Sequence, residues 1–469
     1  MEDSVTRLNF LFLFTDDQRF DTIGALGNEQ ILTPNLDELV SSGTTFTRAH
    51  IPGGTCGAVC MPSRAMLHTG RTLFHLDREG QDIPEAHTTL GECFREKGYD
   101  TFGTGKWHNG REAFARSFSC GDEIFFGGMD DHWNVPAYHF DASGQYASKF
   151  PVVKEPFHSN KVEWRHCDHV APGTHSTDLF ADAAIRFLEG RENENPFLMY
   201  VSLMAPHDPR TMPQSFLDQY EADNIPVPEN FEFEHSFDTG ALGIRDELLA
   251  AFPRSPEEIR RHIAEYYAMI THLDNALGRL IACLSEQELL EDTVIVFAGD
   301  NGLALGQHGL MGKQNVYEHS IRVPLILSGP RIPVGERRNS LVYLMDVLPT
   351  LCDLADVPIP ESVEGRSLKG CLAREEEVHR ALYLAYANSI RGLTDGRHKL
   401  IEYACGVTQL FDLQEDPMER VNLCAHDSSV DVIQNLRGQL FDFRDSWDDL
   451  THPVGKSFWD SRSDLIPMA

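Results

Sequence analysis

The sequence predicts an α/β fold: a large mixed, mostly parallel sheet sandwiched by helices, followed by a smaller C-terminal α+β subdomain that carries an antiparallel sheet. Short and almost wholly apolar runs such as residues 8–15, typical of buried parallel strands, alternate with amphipathic helical segments such as residues 176–189. After about residue 375 the pattern changes to short strands separated by turn residues. We therefore predict a larger domain over residues 1–375 and a smaller one over residues 376–469.

The predicted elements follow one another at regular intervals along the chain. In the larger domain, strands are predicted over residues 8–15, 101–106, 196–204, 293–298 and 323–328, with helices starting at Pro34 and covering 62–70, 88–97, 176–189, 256–285 and 344–355. In the smaller domain, strands are predicted over 381–386, 389–394, 397–402 and 408–412, and a final helix over 429–443. Residues 110–175 and 208–250 are predicted to be long irregular segments, which in compact domains are usually functional loops.

Composition excludes several classes of protein. The chain has 469 residues with 40 Lys and Arg against 72 Asp and Glu, a formal net charge of −32, which argues against nucleic-acid binding and against a polybasic membrane anchor. The ten cysteines are scattered, unlike those of a disulfide-dense scaffold. No apolar run reaches the roughly 18 residues of a membrane span. The first residues lack the basic region of a signal peptide, so we expect a cytoplasmic location for the chain as given, or a periplasmic or secreted one if a signal was removed.

Polar side chains follow the ends of four predicted strands. Asp16 and Asp17 come after the first strand, Lys106 and His108 after the second, His207 after the third, and Asp300 and Asn301 after the fourth. Each group has an ordinary structural explanation by itself, as a helix cap or a surface turn. The carboxyl ends of strands in open α/β sheets are where ligands bind, so we expect these four groups to meet at one edge.

The types of residue at this edge indicate a particular chemistry. Three carboxylates and one amide oxygen are ligands that select Ca²⁺ or Mg²⁺, and such carboxylates would repel one another without a cation. Lys106, His108, His207 and the later Lys313 supply positive or proton-donating groups beside them. A divalent metal surrounded by Lys and His suits an anionic, tetrahedral substrate.

One further motif gives a specific resemblance. Cys60-Met-Pro-Ser-Arg64, followed by Thr69-Gly70, resembles the signature of the type I sulfatases of the alkaline-phosphatase-like superfamily. Other blocks resemble the family in the same order, among them Phe14-Thr-Asp-Asp, Gly105-Lys-Trp-His, Ala205-Pro-His-Asp-Pro, Gly299-Asp-Asn-Gly, Gly312-Lys and Leu410-Phe-Asp-Leu. The resemblance extends from about residue 8 to residue 425.

The resemblance implies a cofactor set and a role for each matched residue. In this family the motif cysteine, here Cys60, is converted by a formylglycine-generating maturase to Cα-formylglycine, whose hydrate is the nucleophile. By the same resemblance, Asp16, Asp17, Asp300, Asn301 and the modified Cys60 would bind the metal, usually Ca²⁺. Arg64 and His108 would hold the hydrate, Lys106, His207 and Lys313 would contact the sulfate, and His308 would lie at the substrate edge. The implied activity is removal of sulfate from a sulfate ester.

We expect the substrate to be a sulfated carbohydrate, in the context of polysaccharide degradation. Trp107 and Trp133 are the substrate-binding candidates, and Tyr138 and Trp164 could act in the same way. Each of these aromatic side chains could stack on a sugar face or equally belong to the core. The sugar, the sulfate position and the chain length are not specified by the sequence.

Three alternatives remain open at this stage. A phosphonate monoester or phosphodiester hydrolase of the same superfamily is the closest; members acting on phosphorus usually have Asp-His where this chain has Asp300-Asn301. A non-catalytic glycan-binding protein on the same fold belongs to another class. A zinc protein is the third, since His166-Cys-Asp-His169 resembles a zinc-ligand pair, although it is more simply a polar surface loop.

Overall fold

The computed structural model describes residues 7–155 and 157–465. Its strands are, in chain order, β1 Asn9–Thr15, β2 Gly43–Phe46, β3 Ala49–His50, β4 Gly53–Gly54, β5 Asp100–Lys106, β6 Cys120–Phe125, β7 Pro136–Ala137, β8 Phe150–Val152, β9 Glu163–Arg165, β10 His169–Val170, β11 Phe197–Ser202, β12 Thr293–Gly299, β13 Leu325–Ser328, β14 Glu336–Arg338, β15 Val342–Tyr343, β16 Leu382–Tyr386, β17 Ile390–Thr394, β18 His398–Tyr403 and β19 Thr408–Asp412.

The α-helices alternate with these strands through most of the chain. They are α1 Pro34–Ser42, α2 Cys60–Thr69, α3 Leu90–Arg95, α4 Arg111–Ser117, α5 Ser176–Glu189, α6 Gln214–Leu217, α7 Pro256–Glu286, α8 Glu318–Ile321, α9 Val347–Leu354, α10 Lys369–Ala373, α11 Val430–Ser446 and α12 Pro453–Ser461. Among the described residues, none of these helices has the length and apolar character needed to cross a bilayer. The expectation about a signal peptide concerns the first six residues, which lie outside the described part of the chain.

The main sheet has eight strands in the order β14-β2-β13-β12-β1-β11-β5-β6. Strand β1 lies inside the sheet and is parallel to both of its neighbours, β12 and β11. Strands β11, β5 and β6 continue the parallel arrangement, whereas β13 is antiparallel to both β12 and β2. The sheet is therefore mixed and mostly parallel, as the sequence predicts.

Alternate residues of the central strand enter two separate apolar layers. Phe10, Phe12 and Phe14 point to a layer shared with α2, α3 and α9, while Leu11 and Leu13 point to a layer shared with α1, α5 and α7. Side chains of successive strand residues face opposite sides of a sheet, so a strand covered by helices on both faces must be apolar throughout. This burial explains why β1 is a continuous apolar run.

The smaller sheet has the order β19-β18-β17-β16-β4. Strands β16 to β19 form an antiparallel meander, which together with the main sheet confirms the predicted fold class. The fifth strand, β4, comes from the first part of the chain and pairs in parallel with the end of β16 through Gly53 and Gly54. The smaller sheet therefore includes residues from both sides of the proposed boundary at residue 375, and that boundary stays a prediction.

Most long elements lie within a few residues of their predicted bounds, and several short ones were missed. The segment 110–175, predicted to be irregular, contains α4 and the edge strand β6, and a second C-terminal helix, α12, follows the predicted one. Strand β6 has only intermediate burial over its first three residues, so it lacks the continuous apolar run of the inner strands. Helix α12 begins with Pro453 at its first position, which is a helix-start signal in the sequence that the prediction does not use.

Candidate active site

The carboxyl ends of four neighbouring parallel strands meet at one edge of the main sheet. These strands are β12, β1, β11 and β5, in spatial order. Asp300 follows β12, Asp16 follows β1, His207 lies shortly after β11, and Lys106 is the last residue of β5. The four groups that the sequence places at separate strand ends thus lie together, at the edge where open α/β sheets bind ligands.

The acidic part of this site is closed to solvent. Asp16, Asp17, Asp300 and Asn301 are each at most 1% exposed. Asp17 Oδ1 accepts hydrogen bonds from Asn301 Nδ2 at 2.6 Å and from Lys313 Nζ at 2.5 Å. The backbone N–H of Asp17 donates to Asp300 Oδ1 at 2.9 Å, and Asp17 has a φ of +65°, a strained conformation for a residue with a side chain. Such strain persists where the surroundings determine the position of the side chain.

The unsatisfied oxygen atoms of this cluster fit a hard metal ion. Asp16 Oδ1 and Asn301 Oδ1 are buried and have no hydrogen-bond partner among the described residues. Ligand atoms of Asp16, Cys60 and Asp300 lie within 4.8 Å of one another, as do those of Asp16, Asp17 and His207. A buried oxygen without a partner costs free energy unless something binds it, and carboxylate and amide oxygens prefer Ca²⁺ or Mg²⁺. The residues present therefore suit such an ion.

Three buried cations balance the three buried carboxylates. Lys106 Nζ contacts Asp16 Oδ2, and Lys313 Nζ contacts Asp17 Oδ1. Arg64 Nε donates to Asp300 Oδ2 at 2.9 Å, and its Nη2 lies 3.6 Å from Asp16 Oδ2. With three charges of each sign, the protein part of the site is close to neutral.

The ion pairs shift the pKa values of their members. Burial works against ionisation of Asp16, but Lys106 and Arg64 outweigh it and hold the pKa of this carboxyl well below its usual range. Burial and the charge of Asp16 raise the pKa of Asp300. Burial disfavours the charged amine of Lys313, yet Asp17 more than offsets it and raises the pKa of Lys313 well above its usual value. Lys313 therefore stays charged.

Cys60 is the first residue of α2 and is buried against these cations. Its Sγ lies 3.5 Å from Lys106 Nζ and 3.6 Å from His108 Nδ1. Burial raises the pKa of the Cys60 thiol, despite opposing contributions from Lys106 and Lys313. The thiol as encoded is therefore mostly protonated at neutral pH, and only the thiolate is a good nucleophile.

Two histidines, each in the segment that follows a strand of the main sheet, face the site. His108 has a φ of +75°, and burial together with the charge of Lys106 lowers its pKa well below the usual value. His207 Nδ1 donates to the carbonyl oxygen of Asp208 at 2.8 Å, and its Nε2 lies 3.6 Å from Asp17 Oδ2. Since the Nδ1 proton is engaged, Nε2 is the atom at which His207 would gain or lose a proton.

Sequence reasoning missed two residues that support this arrangement. His132, which is fully buried, donates from Nε2 to the carbonyl oxygen of His207 at 3.0 Å, while its Nδ1 accepts from Ser176 Oγ at 2.7 Å. Burial lowers the pKa of His132 to about 4, so it stays neutral in this one tautomer. Ser202 Oγ accepts from Arg64 Nη1 at 2.6 Å. The clustering of His residues in 129–175 was the available signal for His132; Ser202 gave none.

A large cleft begins at this site. It has a volume of about 1720 Å³, and its lining extends from Met61, next to Cys60, and His108 to Trp164 and Arg165. Trp164 stands on β9, which forms a hairpin with β8. The segment 110–175, which the sequence predicts to be a functional loop, thus supplies many of the residues that line the cleft.

Two predicted substrate contacts, Trp107 and His308, have side chains packed in the interior, and their roles stay predictions. Trp107 is fully buried, its indole N–H donates to the carbonyl oxygen of Gly110, and its ring packs against His68 at a centroid distance of 4.3 Å. His308 is 5% exposed and stacks on Tyr317 at 4.1 Å, and Asn230 Nδ2 donates to its Nε2 at 3.1 Å. Both rings are almost completely closed to solvent.

Two more of the predicted aromatic contacts, Trp133 and Tyr138, are also packed against other parts of the protein. Trp133 is half-buried, packs edge-on against His175 at 5.2 Å and does not line the cleft. Tyr138 lines the cleft but is 2% exposed and belongs to the core. The sequence leaves open whether such a residue faces a sugar or the core, because an aromatic residue in a loop gives no sign of the direction it faces, and the substrate-binding role of Trp133 stays a prediction.

The suspected zinc pair is not assembled. Cys167 is buried in the core, and His169 Nε2 is paired with Glu123 Oε2 at 2.8 Å. Within residues 7–155 and 157–465, the groups of three or more ligand side chains that could hold a metal are those of the candidate site alone. All ten cysteines are free, so Cys56 and Cys60 form no bridge.

Comparison with known proteins agrees with this geometry. The family model described as Sulfatase matches residues 8–357, and the model described as N-sulphoglucosamine sulphohydrolase, C-terminal, matches residues 306–446. An arylsulfatase of Clostridium perfringens is 27% identical over 92% of this chain and 92% of its own length. An N-acetylglucosamine-6-O-sulfatase of Bacteroides thetaiotaomicron is 25% identical over 90% of this chain and 83% of its own.

A solved structure shows the same fold over nearly the whole length. It is that of a protein in complex with its substrate D-glucosamine-2-N,6-O-disulfate, and it superimposes with a TM-score of 0.78 at 22% identity, covering 96% of this chain and 99% of that one. The fold is thus alkaline-phosphatase-like. Because the Sulfatase model spans most of the sequence, the chain belongs to the sulfatase family and is a sulfuric ester hydrolase.

Proposed function

We propose that the enzyme removes sulfate from a sulfated carbohydrate, with a formylglycine derived from Cys60 as nucleophile and Ca²⁺ at the acidic cluster. The observation that carries this proposal is the convergence of the Cys60–Arg64 motif with four oxygen ligands and three buried cations at one sheet edge. Hydrolysis breaks the bond between sulfur and the alcohol oxygen, adds the hydroxyl of water to sulfur and gives the proton to the alcohol.

Asp16, Asp17, Asp300 and Asn301 would hold the metal, with Mg²⁺ as the alternative ion. When bound, this ion supplies positive charge that offsets the charge of the sulfate and favours deprotonation of a nearby hydroxyl group. Since the three carboxylates are already balanced by Lys106, Lys313 and Arg64, a divalent ion would leave the site with a net positive charge. That charge complements an anionic ester.

Cys60 has features that fit conversion before use. A thiolate is a soft ligand and matches a hard oxygen site poorly, and burial keeps the Cys60 thiol protonated. An aldehyde hydrate at this position would offer two hydroxyl groups, one as the nucleophile toward sulfur and the other as the group whose loss of a proton would release the sulfate. The N-terminus of α2, where Cys60 lies, favours negative charge at this position. A formylglycine-generating maturase is the partner that this role requires.

The remaining side chains would bind the sulfate and move the proton. Arg64 and His108 lie where they can orient residue 60, and Lys106 and Lys313 place fixed positive charge beside it. His207, with Nε2 as its free position, would donate a proton to the alcohol oxygen, with Lys313 close to the same oxygen. General acid catalysis of this kind accelerates a reaction by about 10²–10⁴-fold.

Two observations favour a carbohydrate over a small ester. The cleft of about 1720 Å³ is larger than the roughly 300–1,000 Å³ of ordinary small-molecule sites. In addition, the relative named N-acetylglucosamine-6-O-sulfatase matches nine tenths of this chain. A panel of defined sulfated saccharides, assayed for release of inorganic sulfate, would identify the sugar and the position.

The closest competing activity is hydrolysis of phosphonate monoesters or phosphodiesters. Asn301 favours sulfate, because its neutral amide stands where family members acting on phosphorus usually carry a histidine. The test compares rates on an aryl sulfate and the matching aryl phosphodiester, using enzyme matured with the maturase and supplied with Ca²⁺, with Cys60→Ala as control. We expect a clear preference for the sulfate; a preference for the phosphodiester would overturn the proposal.

A glycan-binding protein without activity would give a different result in the same assay. It would bind sulfated saccharides yet release no sulfate from any of them, whether or not the maturase had acted. The intact Cys60–Arg64 motif and the complete oxygen cluster favour catalysis, because binding alone requires neither.

A further inference from the structure

We propose that the β8–β9 hairpin is a second contact region for the glycan, in which Trp164 stacks on a sugar ring beyond the one that carries the scissile sulfate. This inference rests on the proposed function and specifies its substrate as an oligosaccharide or polysaccharide with anionic groups on more than one unit. Four observations carry it: the exposure of Trp164, the extent of the cleft, the charge of the hairpin and the arrangement of its lysines.

Trp164 is the tryptophan whose ring is open to a ligand. The residue is 56% exposed and lines the same cleft as His108 and Met61. Trp107 and Tyr138 are buried, and Trp133 does not line the cleft. An exposed tryptophan in a cleft leaves a large apolar surface in water, which a sugar face can cover at little cost in conformational entropy.

The cleft has room for more than one sugar unit. Its volume of about 1720 Å³ exceeds what a single small ligand fills. Its lining includes His108, whose Nδ1 lies 3.6 Å from Cys60 Sγ, and also Trp164, Arg165 and His166 at the hairpin. A saccharide with its sulfate at residue 60 can therefore extend toward the hairpin.

The hairpin carries the opposite charge to the rest of the protein. Residues 149–165 contain four basic side chains (Lys149, Lys154, Lys161, Arg165) and two acidic ones (Glu155, Glu163), whereas the whole chain has a net charge of −32. A local positive surface on an acidic protein attracts an anionic chain that the bulk of the protein repels.

Two of the hairpin lysines are not engaged by carboxylates. Lys154 Nζ is paired with Glu163 Oε2 at 2.7 Å, and Arg165 Nη2 with Asp130 Oδ1 at 2.9 Å. Among the described residues, Lys149 and Lys161 have no such partner, and Lys149 Nζ lies 5.2 Å from the centre of the Trp164 ring. Lys149 lies over one face of the exposed ring, so a sugar that stacks on the Trp164 side chain would have this ammonium nearby for a sulfate or a carboxylate.

The test measures binding and turnover separately. Binding is measured by calorimetry on a Cys60→Ala background with three tetrasaccharide probes, prepared from heparin, chondroitin sulfate and carrageenan, and the probe bound most tightly is then used throughout. We expect Trp164→Ala to weaken its binding about tenfold and Trp164→Phe to retain most of the affinity. Phe157→Ala is the matched control, because Phe157 is 94% exposed on the same hairpin but does not line the cleft.

Turnover of a small aryl sulfate by the matured enzyme supplies the second readout. Trp164→Ala should leave kcat/KM for the aryl sulfate within about twofold, because a small ester does not reach the hairpin. Unchanged tetrasaccharide binding in Trp164→Ala, an equal loss in Phe157→Ala, a parallel loss on the aryl sulfate, or no binding of any probe would each overturn the inference. Trp164-dependent binding in a matured enzyme that releases no sulfate would instead overturn the proposed function alone.

Discussion

Lys313 and Asp17 form an ion pair that solvent does not reach, at 2% and 1% side-chain exposure. Two buried charges that compensate one another are tolerated, whereas one left alone is costly. Because Asp17 is also a proposed metal ligand, a bound cation and Lys313 both serve to balance the same carboxylate. Stability and metal binding should therefore be coupled at this residue.

Replacing Lys313 with methionine tests this coupling. In the presence of a chelator, Lys313→Met should lower the free energy of unfolding by about 3–5 kcal/mol, because Asp17 is left without its cation. Added Ca²⁺ should recover part of the loss, as measured by denaturant unfolding with and without the ion. Lys154→Met, which breaks an exposed pair, should change stability by less than about 1 kcal/mol under both conditions. A Lys313→Met protein as stable as wild type in chelator would contradict this account.

His132 holds the backbone of His207 and contacts no proposed substrate group. Its loss should therefore act through the position of His207, the proposed proton donor. We expect kcat/KM to fall by about 10–100-fold for esters of alcohols that are poor leaving groups and much less for esters of acidic phenols. His132→Gln, which keeps an N–H donor, should restore part of the difference relative to His132→Ala. A uniform loss across a series of leaving groups would mean that His132 is only structural.

Residues at strand ends could be predicted, whereas residues in loops could not. Asp16, Lys106 and Asp300 lie at or directly after apolar runs whose parallel arrangement the sequence reveals, so their convergence follows from topology. Trp107 and His308 lie near such residues in the sequence, but their burial depends on neighbours far away in the chain, such as Tyr200 for Trp107 and Asn230 for His308. The position of a residue in the sequence therefore predicts whether it lies near the site, but it does not predict which way its side chain points.

At the scale of elements, β4 links the smaller sheet to Cys60, the proposed nucleophile. This two-residue strand pairs with β16 and leads directly into the segment that ends at Cys60. Gly53 has a φ of +113°, and a Cβ there would lie 2.1 Å from the carbonyl oxygen of Ala385. The pairing therefore requires glycine, and the smaller sheet helps to position residue 60.

Substitution of Gly53 should disturb the active site from a distance. Gly53→Ala combines a strained φ with a backbone clash, so we expect a loss of at least about 2 kcal/mol in the free energy of unfolding and a lower kcat at temperatures where the protein stays folded. Gly406→Ala is the control, since Gly406 also has a positive φ, +91°, but no atom within 4 Å of the added Cβ. Equal turnover by the two variants would contradict the proposed role of β4.

Long elements were predictable because they carry their own periodic signal. Helix α7 and strands β1 and β12 have many buried residues at regular spacing, and their bounds agree with the sequence pattern to within two residues. Strand β4 consists of two glycines, and its pairing is decided entirely by β16, which follows more than three hundred residues later. No local pattern could have revealed such a strand.

At the scale of the whole molecule, the net charge of −32 opposes an anionic substrate. The three carboxylates of the site are balanced locally, so most of the excess acid lies elsewhere on the protein. Long-range repulsion between charges is screened by salt, whereas buried contacts are screened much less. Recognition must therefore be local, through the cations of the site.

The salt dependence of catalysis follows from this charge distribution. For a polyanionic oligosaccharide, KM should fall as ionic strength rises from about 0.01 M to about 0.1 M, since the Debye length shortens from roughly 30 Å to roughly 10 Å. At higher salt, KM should rise again as the specific contacts are screened. The KM of a singly charged aryl sulfate should vary less over the same range. A KM for the oligosaccharide that increases steadily from the lowest salt would contradict this prediction.

The most direct test of the proposed mechanism is mass spectrometry of the peptide that contains residue 60, combined with the sulfatase rate of the same preparation. Protein produced with and without a formylglycine-generating maturase would give samples with different degrees of conversion. We predict that the rate of aryl sulfate hydrolysis rises in proportion to the fraction of residue 60 present as the aldehyde. Full activity in a preparation that contains only cysteine at this position would contradict the mechanism.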